Sequence, residues 1–384
     1  MFSSESLFSW YRSMQRSSPV LFDRDWGCWN VFTYDYALRV LRNPTLFSSS
    51  PPIEWSGEGI TKSLILMDPP KHTAFRSLVN SFFSAKAVQR LEPRIEAIAD
   101  SLLESVEGED SFDFVESFAV PLPVRVIAEL LGVPAEDQPL FKKWSDAIVG
   151  VGGDGSGGGG YASSQRELLE YFERIIERRR ADPGGDLISQ LITARVEGRG
   201  LSASELLGFC TLLLVAGNET TTNLLGNTVK AISENPEAHA KLIGHLEALL
   251  PLAIEETLRY YSPVQVLPHR FAKVDTVLGG QTIRVGDQVS VWIGSANRDG
   301  TKFASPDEFV VDRRPNEHIA FGSGPHMCLG APLARLEARV ALQAFLRRFP
   351  NFHVLEAETL SGPLIYGFKR LVVGFEPTRG GKAD

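Results

Sequence analysis

Cys328 stands in FGSGPHMCLGAPLARLEARV, residues 321–340, with glycines at 322, 324 and 330 and His326 two positions before it. Pro332 and the run LARLEARVALQAFLRRF predict a helix that begins just behind the cysteine. The free N–H groups and positive end of such a helix stabilise a thiolate. Gly322 and Gly324 let the backbone curl tightly and approach something flat or bulky, and Gly330 allows the same after the cysteine. One thiolate with neither a second cysteine nor a nearby histidine pair is a poor zinc site. It is a good single axial ligand for haem iron, leaving the opposite face free. The plainer alternatives are a buried structural cysteine and a cysteine-dependent hydrolase, though no local triad signature accompanies the residue.

Three other groups carry chemistry. ASELLGFCTLLLVAGNETTTNLLGNTVKAIS predicts a long helix, apolar on nearly every side from Leu206 to Val215 and so destined for the core. Its centre then presents Gly217, Asn218, Glu219 and Thr220, and polar side chains there are costly unless partnered or at work. His72 and Arg76 in KHTAFR are four apart and share a helix face. Glu256 and Arg259 in EETLR form an i, i+3 pair, which on a surface contributes only ~0.3–0.5 kcal/mol.

The phrase FGSGPHMCLG resembles the haem-thiolate loop of the cytochrome P-450 monooxygenases at Phe321, Gly322, Gly324, His326, Cys328 and Gly330. AGNETT, residues 216–221, is similar to that family's central-helix motif, EETLR to its Glu-x-x-Arg pair, KHTAFR to its His-x-x-x-Arg helix and HRFAKVD to its arginine-bearing strand. The segment FVVDRRPNEHIAFG resembles the approach to the cysteine loop, and all of these occur in the family's order. The resemblance implies a compact soluble prokaryotic member: mainly α with a smaller β region, the haem lying between the central long helix and the cysteine-loop helix. It implies haem b with Cys328 on iron and a propionate clamp of His72, Arg76, Arg270 and His326. Thr220 and Glu219 would deliver protons for O₂ cleavage, with Gly217 letting the helix open locally. Glu256, Arg259 and Arg313 would form a structural ion cluster, with Arg314 as the alternative third member. The family's pocket positions fall at Leu213, Ala216, Val264, Leu267, Leu364 and Ile365, all apolar, which points to a small hydrophobic substrate. Electrons would come from a ferredoxin or flavodoxin with its NAD(P)H-dependent reductase, docked with help from Arg335 and Arg339. A peroxide-driven peroxygenase or haem isomerase would not need the acid–alcohol pair. A haem gas sensor would carry a signalling domain or a basic DNA-binding surface.

The scaffold that must position these residues is a chain of 384 residues, 43% hydrophobic, with a net charge of −8. That charge excludes the basic footprint of nucleic-acid binding. No apolar run reaches the ~20 residues of a membrane span, and the N-terminus lacks a signal peptide's apolar core. Three cysteines cannot build a disulfide framework. A cytoplasmic monomer, one domain over residues 1–384 without a fused reductase or ferredoxin module, is the expectation. Asp68 is a candidate N-cap for the helix holding His72, residues 87–131 read as mostly helical, and strands are expected in VQVLPHRFA, in QTIRVGDQVSVWIGSANRD with a turn at VGD, and in two final segments. The glycine-rich Gly150–Gly160 is either a connector or a mobile lid.

Overall fold

The computed structural model describes residues 4–53, 55, 59–149, 159–196 and 198–375. Its axis is the helix Ala203–Glu234, 32 residues long, opened by a capping box in which Ser202 and Glu205 satisfy each other's backbone N–H groups. Nearly every residue from Glu205 to Leu214 is buried, because the other elements pack round it. Pro121–Leu131, Leu246–Tyr260 and the cysteine-loop helix Ala331–Arg348 all touch it. The main apolar core fills the spaces between them. A second, smaller core lies against the β region, built from residues such as Val31, Val40, Val289 and Ile319.

That β region is a five-stranded sheet, in spatial order Val20–Asp23, Cys28–Val31, Gln288–Val291, Leu267–Ala272, Phe47–Ser48. Arg270 sits on its fourth strand, opposite Val289. A three-stranded sheet pairs Phe352–Thr359 with Phe368–Phe375, and the latter with Ser111–Asp113. The strand at 111–113 interrupts what the sequence predicts as mostly helix, and the same stretch holds a π-helical turn at Val115–Ala119. QTIRVGDQVSV does turn at VGD, where Gly286 has a φ of 86°. Its two strands separate, however. Gln281–Ile283 pairs with Thr276–Leu278, while Gln288–Val291 joins the large sheet. The following Ile293–Ala296 is a helical turn, not strand.

Asp68 does not cap the helix Lys71–Asn80, whose N-cap is Pro70. Its carboxylate is spent elsewhere, accepting from the Ser48 hydroxyl at 2.7 Å and the Ser49 N–H at 2.8 Å. The glycine-rich stretch lies outside the described residues except for Gly159 and Gly160, which open the helix Gly159–Ala181.

Candidate functional site

The cysteine loop is built by glycine. Gly322 and Gly324 have φ values of 71° and 73°, accessible to glycine at little cost. At Gly324 a Cβ would also lie 2.6 Å from the Leu41 carbonyl oxygen, so the end of the helix Tyr34–Leu41 presses directly on the loop. The Cys328 N–H donates to the Phe321 carbonyl at 2.8 Å and closes the turn. Of the three cysteines, Cys28 and Cys210 are buried and only Cys328 is exposed. Burial pushes the Cys210 thiol up to about 12. Although the residue as a whole is exposed, protein atoms crowd its sulfur, and desolvation raises the Cys328 thiol, opposed by the Gly330 and Ala331 N–H groups at the helix start and by the charges of Arg76 and Arg335.

Beside the cysteine the fold gathers two arginines and two histidines. His72 and Arg76 come from one helix face, Arg270 from the sheet and His326 from the loop itself. The His72 and His326 rings lie 3.9 Å apart. Burial pushes His326 down to about 3, with His72 and Arg270 adding to the effect. His72 is lowered by burial and then by Arg76. Arg270 falls to about 10 through burial, with Asp68 opposing. Both ring nitrogens of His72 and Nε2 of His326 are buried without a hydrogen-bond partner. Arg76 donates to the carbonyls of Pro325 and Met327 at 3.1 and 2.6 Å, and Arg270 to the His269 carbonyl at 2.7 Å. Four positive or proton-bearing groups with so few acceptors form a cradle for an anion. A dianionic macrocycle edge with two carboxylates, next to a single thiolate ligand, fits this donor set.

On the central helix, the Thr220 hydroxyl donates to the Ala216 carbonyl at 2.7 Å, the back-bond usual for threonine inside helices. The helix runs unbroken past Gly217, where a Cβ would make only ordinary contact with Ile127 at 3.5 Å. Glu219 is buried, 5% exposed. Asn218 is fully buried with both amide atoms unpartnered. Nothing in the local sequence sets it apart from its polar neighbours Glu219 and Thr220.

The apolar pocket candidates occupy three elements. Leu213 and Ala216 lie on the central helix, Leu213 buried and Ala216 exposed. Val264 and Leu267 precede and begin a sheet strand, and Leu364 and Ile365 lie at the tip of the C-terminal hairpin. A bridge between Val264 and Ile365, with Gln265 N–H donating to the Leu364 carbonyl at 2.9 Å, ties the last two elements together.

Glu256 and Arg259 are both wholly buried. Arg259 meets the carboxylate through two N–H donors at 2.8 Å each. Arg313, rather than Arg314, completes the cluster with Nε 3.0 Å from both oxygens. Asn316 Nδ2 and the Val310 N–H add further bonds to Glu256. A second ionic knot, unread in the sequence, joins Glu255 to Arg335 at 2.6 and 2.8 Å and to His318 at 2.9 Å. Burial alone would raise Glu255, but the Arg335 and His318 hydrogen bonds win and hold it at about 2. The signal was the acid immediately before the EETLR pair's own glutamate. Arg339 likewise bonds Glu92 at 2.6 Å, so both arginines expected to help dock a redox partner are already paired within the chain. Among the described residues no helix is long and apolar enough to cross a membrane.

The family model for cytochrome P450 matches residues 160–360. Cytochrome P450 109 of Bacillus spizizenii is 44% identical over 376 residues, 95% of this chain and 91% of that protein. Erythromycin C-12 hydroxylase of Saccharopolyspora erythraea is 40% identical over 356 residues, 91% and 88% of the two chains. The crystal structure of CYP109E1 from Bacillus megaterium in complex with testosterone superposes with a TM-score of 0.91 at 43% identity, covering 96% of this chain and 98% of that one. The chain belongs to the cytochrome P450 family, with its fold. It is a haem-thiolate monooxygenase, using O₂, an organic substrate and electrons from redox partners.

Proposed function

We propose that Cys328 is the axial thiolate and that His72, Arg76, Arg270 and His326 bind the two propionates of haem b. The carrying observation is the convergence of those four groups, with buried nitrogens left unpartnered, beside the one exposed thiol. The b form is supported by the lone cysteines, which offer no Cys-x-x-Cys-His attachment. When bound, the haem supplies oxygen activation and transfer of one oxygen atom to the substrate. The helix N-terminus behind Cys328, with the Gly330 and Ala331 N–H groups, favours its thiolate. Thr220 keeps its lone pairs as acceptors while donating to Ala216, so it can hold a water at the helix centre. Glu219 supplies that water with protons.

The substrate is a hydrophobic compound, enclosed by Leu213, Ala216, Val264, Leu267, Leu364 and Ile365. The large hydrophobic molecules named for the relatives, testosterone and erythromycin, support this class. A ferredoxin or flavodoxin with its NAD(P)H-dependent reductase delivers the electrons.

The deciding experiment is the spectrum of the reduced protein under carbon monoxide. The strongly red-shifted Soret band of thiolate ligation is expected. Cys328→His should lose it, while Cys28→Ser and Cys210→Ser keep it. An unchanged band in Cys328→His would overturn the assignment.

A further inference from the structure

Away from the cysteine loop, a cavity of about 440 Å³ opens between the hairpin Val20–Asp23/Cys28–Val31, the first helix, Ser4–Ser17, and the tip of the C-terminal hairpin. Of the residues assigned above to haem, proton delivery or substrate, it includes only Ile365. Its size falls in the usual range for small-ligand sites. Trp10, Phe32 and Trp292 form one wall as a tight block, Trp10 lying 5.1 Å from Phe32 and 4.9 Å from Trp292 by ring centroid. Trp26 forms another wall and is unlike these. It is 60% exposed, and among the described residues no ring stacks on it.

Asp23 is the one charged residue in the lining. Strand register sets Leu21 opposite Asn30 and Asp23 opposite Cys28, so Leu21, Asp23 and Asn30 lie on one face of the hairpin. All three line the cavity. Asp23 Oδ1 accepts from the N–H groups of Asp25 and Trp26 at 2.9 and 3.0 Å and so fixes the turn that carries the indole. Its other oxygen, Oδ2, has no hydrogen bond or ion pair among the described residues. No described lysine or arginine stacks on Trp26 or Trp292. A carboxylate with a free oxygen beside the uncovered indole of Trp26 is the arrangement that recognises an organic cation: the aromatic quadrupole and the negative charge act on the same ammonium group, while the Phe32-stacked Trp292 and its neighbours take an apolar body.

We propose that this cavity is a binding site for a small organic ammonium compound, its cationic head between Trp26 and Asp23 and its apolar body against the Trp10–Phe32–Trp292 block. Its cation-binding groups, Trp26 and Asp23, have no role in the haem or substrate assignments, and Ile365 is the one lining residue shared with them.

Calorimetric titration of the holoenzyme with benzyltrimethylammonium tests this. The probe has no nitrogen lone pair and cannot ligate iron; 4-phenylimidazole, added at saturation, occupies the haem side throughout. Single-site binding is expected to persist with 4-phenylimidazole present. The neutral carbon isostere, neopentylbenzene, should bind at least about tenfold more weakly, as should benzyltrimethylammonium to Trp26→Ala. Asp23→Asn keeps the Oδ1 acceptor that holds the turn, and should weaken binding severalfold while reducing its salt dependence. Should Trp26→Ala fold poorly, Trp26→Leu and Asp23→Asn decide the matter. Binding abolished by 4-phenylimidazole, equal affinity for the neutral isostere, or full affinity in both the Trp26 and Asp23 variants would each overturn the proposal.

Discussion

Thr220 has the chemistry for proton delivery and, in the same atom, an ordinary structural use: its hydroxyl is bonded to the Ala216 carbonyl. A substitution separates the two. Thr220→Val keeps volume and β-branching, and the back-bond it removes is of a kind that slightly destabilises helices, so folding and haem content should be close to normal. With the hydroxyl gone, reducing equivalents should continue to be consumed from a surrogate ferredoxin system while product per NADH falls and hydrogen peroxide rises. Lost proton-transfer help typically costs ~10²–10⁴-fold in the assisted step. Full coupling in Thr220→Val on a good substrate would move the role elsewhere, Thr221 being the neighbouring hydroxyl. At this scale the cysteine loop was legible because glycine spacing is a backbone requirement written directly in residue type: two of its three glycines take positive φ. Asn218 was not. Its burial with both amide atoms unpartnered depends on what packs around the helix, and no local pattern encodes that.

Elements were legible where their periodicity was local. The central helix announces itself through a long apolar run, and the final two strands pair with each other. The strand Ser111–Asp113 was hidden because three residues carry almost no period, and its partner, Phe368–Phe375, lies at the far end of the chain. Connections between elements were least visible of all. Glu255 on the helix Leu246–Tyr260 reaches His318 and Arg335, and Arg335 in turn lies 4.5 Å over the Phe321 ring at the base of the cysteine loop. This knot should be pH-linked. The folded pKa of Glu255 is depressed to about 2 from an ordinary 4.5, so its stabilisation is fully present above about pH 4.5 and is lost as pH falls toward 2. Discounted for partial exposure, Glu255→Gln should cost about 2 kcal/mol at pH 7. Urea midpoints should show the gap to wild type shrinking by roughly 1 kcal/mol at pH 3.5. A gap independent of pH would mean that the carboxylate charge contributes nothing there.

Across the whole molecule, the helical and β parts meet at the buried guanidinium of Arg259. It bonds Glu256 on its own helix and three backbone carbonyls from distant loops, those of Asn297, Pro306 and Glu308. Arg313 approaches Glu256 from the other side and fixes the carbonyls of Ala304 and Ser305. The loops at 297 and 304–308 thus close onto the helix through charge and backbone together, which is why an i, i+3 spacing that suggests a weak surface pair here has no exposed side chain at all. Removing one member of a buried set leaves the others desolvated and underpaired, typically a loss of 3–5 kcal/mol. Arg259→Met should therefore lower the melting temperature by about 4–6 °C, given an unfolding entropy of ~2.1 cal/mol/K per residue. Arg313→Met should cost less, because its side chain is 9% exposed and water reaches the vacated position. Replacing Glu256 and Arg259 together by methionine should cost less than the two single losses combined, since it removes the mutual attraction only once and strands neither partner. Additive losses in that cycle would show Arg259 acting through its three carbonyl contacts alone, with Glu256 a separate anchor for Arg313 and Asn316.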